Sequence, residues 1–124
     1  MSHPLPTDIR LHTKSRTLEL VYADKSFELT AEYLRVLSPS AEVRGHGIGN
    51  GVLQTGKQFV GISGVQPAGN YALKIIFDDG HDSGLYTWDY LYDLCQNHDQ
   101  HWQRYLQQLA DAGESRNDGL IARG

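Results

Sequence analysis

Residues 70–94 read NYALKIIFDDGHDSGLYTWDYLYDL, and this stretch decides the fold. Tyr71, Leu73, Ile75 and Phe77 alternate with Ala72, Lys74 and Ile76, the period of two expected of a half-buried strand. Asp79-Gly80 follows, the pair favoured by a two-residue type I′ turn in which both central residues need positive φ. A short return strand is expected from His81 to Thr87. Thr87 then offers a hydroxyl as helix N-cap, and Asp89 complements the positive end of the helix dipole. Trp88, Leu91, Cys95, His98, Trp102, Tyr105 or Leu106, and Leu109 recur at spacings of three and four. They predict one long C-terminal helix of about six turns lying across the sheet and closing the core.

Upstream, the pattern is a meander. Ile9 and Leu11 mark a strand over 8–13, and Leu18, Leu20 and Tyr22 a second over 17–23. Phe27 and Leu29 mark a third, with turns at Lys14-Ser15 and Asp24-Lys25. Thr30 reads as the N-cap of a short helix over 31–37, with Glu32 in its first turn, and Ser38-Pro39 stops it. A fourth strand is expected over about 59–65. The expected class is α+β, an antiparallel sheet of about five or six strands with one short helix and one long C-terminal helix packed on it. Residues 1–6, with Pro4 and Pro6, read as a flexible arm, 7–112 as the domain, and the polar 113–124 as a disordered tail.

The chain has 124 residues, 40% of them hydrophobic, enough for one domain with an ordinary core. Net charge is −4 with no long Lys/Arg cluster, which argues against nucleic acid or an anionic membrane as partner. No apolar run approaches the roughly 20 residues of a membrane span. Cys95 is the single cysteine, so no internal disulfide can form, and MSHPLPTD lacks the basic and apolar regions of a signal peptide. A cytoplasmic location is expected.

No catalytic motif stands out. GHGIGNG (45–51) does not fit G-x-G-x-x-G, and neither a P-loop nor a G-x-S-x-G elbow occurs. Its alternate glycines let backbone approach another surface closely, so Arg44, Gly45, His46, Gly47, Gly49 and Asn50 are the candidate binding loop. His81, flanked by Asp78 and Asp82, is a candidate nitrogen-and-oxygen metal corner, with His46 as a further donor. His98 and His101 are three apart and could meet on a helix, although His98 falls on the apolar stripe. Tyr90 lies off that stripe, where it would suit a contact surface.

The segments PTDIRLHTKSRTLELVYADKSFEL (6–29), AEYLRVLSPSAEVRGHG (31–47) and VGISGVQPAGNYALKIIFDDGHDSGLYTWDYLYDL (60–94) resemble the gamma-butyrobetaine hydroxylase-like N-terminal domain family. In that family the domain precedes the catalytic domain of iron- and 2-oxoglutarate-dependent hydroxylases, accompanies some P-loop iron–sulfur cluster carriers, or stands alone in bacteria. The resemblance implies a stand-alone member without the catalytic half. In the hydroxylases the domain resembles a small zinc module of three cysteines and one histidine. Carried over, the histidine matches His81, while the cysteine positions fall near Ser38, Ser40 and Val43, none of which is cysteine here. A Cys₃His zinc site therefore cannot form.

Two readings follow. The first is a non-catalytic accessory or binding module, not an enzyme, whose partner is another protein, an iron–sulfur or hydroxylase-related one on the resemblance. The second is a metal-binding protein in which His81, Asp78, Asp82 and His46 hold zinc or iron. The sequence requires no cofactor on the first reading. An independent enzyme ranks third.

Overall fold

A computed structural model describes residues 5–40 and 53–116. Among these residues, six strands and three helices follow one another as β1 (Asp8–His12), β2 (Thr17–Val21), β3 (Ser26–Thr30), α1 (Ala31–Val36), β4 (Ile62–Ala68), β5 (Ala72–Phe77), β6 (Leu85–Thr87), α2 (Trp88–Gln96) and α3 (His98–Ala112). The class is α+β, as expected. The strands form two antiparallel three-stranded sheets, β1-β2-β3 and β4-β5-β6, rather than the one expected. Alternation along a strand reports which face is buried, and it carries no record of which strand lies beside it.

Both sheets turn their apolar faces to one core. Leu18, Leu20 and Leu29 from the first sheet meet Leu73, Ile75, Phe77 and Tyr86 from the second, with Tyr33 and Leu34 of α1 and Leu91 and Leu94 of α2 between them. Each large side chain so buried contributes about 1.5–3 kcal/mol relative to exposure. The strand periods mark Leu18 and Leu20 of β2 and Leu73, Ile75 and Phe77 of β5 as buried, whereas Tyr71, expected on the same face, precedes β5 and is exposed, and Ala72 is buried in its place.

Both predicted N-caps form: Thr30 Oγ1 accepts from Tyr33 N–H at 3.1 Å, and Thr87 Oγ1 from Tyr90 N–H at 3.2 Å. The expected single C-terminal helix is two. Asn97, with φ −113° and ψ 32°, leaves helical geometry between α2 and α3, and its side-chain amide donates to Asp93 Oδ1 at 2.7 Å. Such local side-chain bonding competes with the helix. The apolar stripe crosses the break, since Leu91, Cys95, Tyr105 and Leu109 are all buried.

The Asp79-Gly80 turn forms with different geometry from that expected. Phe77 N–H donates to His81 C=O at 3.0 Å, and Gly80 N–H donates to Phe77 C=O at 3.1 Å. That encloses three residues, 78–80, of which Gly80 alone has positive φ, 91°. A three-residue hairpin loop with glycine last is the next commonest solution after the two-residue turn. β6 is correspondingly shorter than the expected return strand, and pairs Ala72–Lys74 of β5 with Leu85–Thr87.

The described part of the C-terminal segment folds back. Gly56 N–H donates to Ser115 C=O and Gln58 N–H to Arg116 C=O. Arg116 forms a two-pronged pair with Glu32, Nε to Oε2 at 2.8 Å and Nη2 to Oε1 at 2.7 Å, with its guanidinium 5.3 Å over the Trp102 ring.

Candidate functional site: a buried serine–histidine knot

The end of α1 and the turn after β5 are distant in sequence and adjacent in space. His81 Nε2 lies 2.9 Å from Ser38 Oγ and 3.4 Å from Ser40 Oγ, and Ser40 N–H donates to Ser38 Oγ at 3.3 Å. All three residues are buried, and Ser38 has no exposed surface. Buried polar groups persist where they are hydrogen-bonded, and this knot meets that condition for both hydroxyls.

Asp79 positions the histidine. Its Oδ1 accepts from His81 N–H at 3.1 Å, while Oδ2 accepts from Arg35 Nε at 2.9 Å and Lys57 Nζ at 3.0 Å. Burial alone would raise the Asp79 pKa, but the bonds from Lys57, His81 N–H and Arg35 outweigh it and hold the carboxyl below the usual range. Asp79 therefore stays charged and joins α1, the 78–80 turn and the 56–58 segment.

Phenols clamp the same end of α1. Tyr86 donates to Leu34 C=O at 2.5 Å and Tyr90 to Leu37 C=O at 2.6 Å, which satisfies carbonyls that a helix end leaves without intrahelical partners. Burial pushes the Tyr86 pKa upward, so its phenol remains a donor. Tyr90 is thus half-buried and bonded inward, not the exposed contact residue expected. Tyr86 lies in β6 and Tyr90 in α2, so no single periodicity spans the two and local spacing carries no signal of this. On the other side, Gly84 packs its backbone on Ser38: a Cβ there would overlap Ser38 Oγ and lie 3.1 Å from Pro39 Cδ. A cleft of about 330 Å³, with Leu37, Ser38, Tyr90, His101 and Arg104 in its wall, opens beside the knot.

Of the other expected metal residues, Asp78 and Asp82 are not gathered here. Asp78 is tied to Gly61 in both directions, its Oδ1 accepting from Gly61 N–H at 2.9 Å and its N–H donating to Gly61 C=O at 2.9 Å. Asp82 is exposed, 3.9 Å from Lys74 Nζ. Neither joins His81 in a three-ligand group among the described residues. The backbone pairing of Asp78 and the outward position of Asp82 follow from the three-residue turn. His46, with Arg44, Gly45, Gly47, Gly49, Asn50 and Val43, lies outside the described residues. His98 and His101 do not form a pair. His98 packs on the Tyr33 ring with centroids 4.4 Å apart, and His101 Nε2 lies 2.9 Å from Asp93 Oδ2.

Chemically, two hydroxyls and one imidazole are a poor zinc set, because structural zinc takes thiolate, imidazole or carboxylate donors. The donors present at 38, 40 and 81 fit a hydrogen-bonded knot and do not fit a zinc centre. Ser38 Oγ and His81 Nε2 do have the spacing of a nucleophile and its base. Gly84 and Pro39 cover that oxygen, so the pair as placed bonds structure together.

The chain resembles several solved structures. One, an NMR solution structure, is 57% identical with a TM-score of 0.85, covering 98% of this chain and 96% of that one. A second NMR solution structure is 50% identical, TM-score 0.78, covering 93% and 86%. A crystal structure of a protein of unknown function from Acidithiobacillus ferrooxidans, of the DUF971 family, is 38% identical, TM-score 0.62, covering 75% and 97%. No curated protein matches. The family model for "gamma-butyrobetaine hydroxylase-like, N-terminal" matches residues 9–92, a span that contains the knot, both its serines and its histidine. The chain belongs to the gamma-butyrobetaine hydroxylase-like, N-terminal family.

Proposed function

We propose that the chain is a non-catalytic binding module that presents residues 41–52, with Arg44, Gly45, His46, Gly47, Gly49 and Asn50, to a protein partner. One observation carries this reading: both ends of that segment are fastened to the same buried polar framework. Ser40, at the exit, is held in the Ser38–His81 knot. Gln54, at the return, accepts from Tyr105 Oη on its backbone carbonyl at 2.7 Å and from Arg35 Nη1 on its side chain at 3.1 Å. Arg35, itself buried and bonded to Asp79, joins the two ends. Binding segments are commonly displayed in this way by a rigid scaffold.

On the family resemblance, the partner belongs to iron–sulfur or hydroxylase chemistry. We place the module in the cytoplasm, with neither nucleic acid nor membrane as its target. The net charge of −4 supports this, and no helix among the described residues is long and apolar enough to cross a membrane. The other reading, zinc or iron on His81, draws on the convergence of positions 38, 40 and 81. It needs donors from 41–52, His46 first, because Asp78 and Asp82 are engaged elsewhere.

A photocrosslinking residue at position 48, compared in cells with one at exposed position 66 on β4, tests the proposal. Expected is a protein adduct specific to position 48 that weakens in Arg44→Glu and in His81→Ala. Equal adducts at both positions, or none at 48, would refute it.

A further inference from the structure

The first sheet carries a second cluster on its polar face. Ile9, Leu11, Leu18, Leu20, Phe27 and Leu29 pack on the core, so the alternate residues Arg10, His12, Glu19 and Glu28 share the opposite face. The register sets Glu19 directly opposite Glu28. Like charges facing across neighbouring strands are destabilising unless something neutralises them. Arg10, the cross-strand neighbour of Glu19, turns its Nε to Asp8 at 2.8 Å. His12 instead stands over the pair, Nε2 lying 2.9 Å from Glu19 Oε1 and 4.0 Å from Glu28 Oε2. One ligand atom from each of the three lies within 4.8 Å of the other two.

We propose that His12, Glu19 and Glu28 form a binding site for a divalent borderline metal ion, with zinc the best fit. One imidazole and two carboxylates are suitable zinc donors, and three protein ligands leave a position for water. Zinc–ligand lengths of about 2.0–2.2 Å place neighbouring ligand atoms about 3–3.5 Å apart. His12 and Glu19 are already close to that separation, and the exposed Glu28 side chain closes the remainder by rotation. A dication neutralises both carboxylates together, whereas the imidazole stands at contact distance from Glu19 alone. The ligands come from three consecutive strands of one ladder, so little backbone must be ordered on binding. The site shares no ligand with the knot.

Zinc is titrated into the full-length, untagged, ¹⁵N-labelled chain, followed by NMR and calorimetry, with His12→Ala and Glu28→Gln in parallel. Circular dichroism checks that both variants remain folded, the expected result since neither side chain belongs to the core. Expected is saturable one-to-one binding, with shifts centred on residues 12, 19 and 28 and affinity reduced at least about tenfold in each variant. Shifts centred on His81, His98 or His101, undiminished affinity in His12→Ala, or no saturable binding would overturn the proposal.

Discussion

Gly84→Ala tests the packing of the knot at a buried position. The added methyl overlaps Ser38 Oγ, sits 3.1 Å from Pro39 Cδ and lies at ordinary contact distance, 3.5 Å, from Ser40 N. The least costly relief is rotation of Ser38 about χ1, which breaks its bonds to His81 Nε2 and Ser40 N–H. Losing a buried hydrogen bond with its partner left unsatisfied costs about 1–3 kcal/mol. The contact with Pro39 adds a smaller overpacking cost, so the variant should lose about 2–3 kcal/mol. Ser38→Ala alone should lose about 1–2 kcal/mol by the same bonds. In Ser38→Ala/Gly84→Ala the overlapping oxygen is absent, and the bonds are already gone. The glycine substitution should then cost about 1 kcal/mol or less, partly offset by the lower entropy of the unfolded chain. Urea denaturation of the four proteins gives the cycle. The double variant should be more stable than the sum of the singles implies by at least about 1 kcal/mol. Additivity within about 0.3–0.5 kcal/mol would mean that Gly84 does not lie on Ser38, and the knot as described would be wrong.

Asp79, held below its ordinary pKa, adds stability that is present above the unfolded-state value near 3.9 and lost as pH falls through the folded value. Asp79→Asn should therefore flatten the loss of stability below about pH 4, and unchanged acid sensitivity would contradict the Arg35–Lys57–Asp79 arrangement. Burial pushes the Cys95 thiol up to about 12, so a thiol reagent at neutral pH should label it only after denaturant is added. Arg116→Ala leaves the buried Glu32 carboxylate without its two-pronged partner. Because Arg116 is itself part-exposed, the expected loss is about 1–3 kcal/mol, with a change in Trp102 fluorescence as the second readout.

The elements were legible where the signal is local. Thr30 and Thr87 declared their caps, and the alternation through Leu73, Ile75 and Phe77 declared the buried face of β5. Gly80 declared its turn, but a dipeptide does not distinguish a two-residue loop from a three-residue one. Asn97 was hidden because the apolar stripe continues across it, and the side-chain bond that bends the chain there is polar. The division into two sheets is a matter of strand neighbours, which periodicity does not encode. The knot was half legible. Ser38, Ser40 and His81 were singled out as corresponding positions, but 43 residues separate Ser38 from His81 in sequence. Nothing local foretells that two hydroxyls meet a ring nitrogen there. For the flanking carboxylates Asp78 and Asp82, sequence adjacency to His81 does not imply a shared face. Asp79 between them reaches the framework instead.

On the proposed reading, Ser38, Ser40 and His81 form a hydrogen-bonded anchor for a partner-binding segment, not a metal centre. Untagged protein purified anaerobically should be assayed for zinc, iron and acid-labile sulfide beside His81→Ala and His12→Ala. Expected is no metal that depends on His81, and any zinc found should survive in His81→Ala and disappear in His12→Ala. Stoichiometric zinc or iron lost specifically in His81→Ala would contradict it.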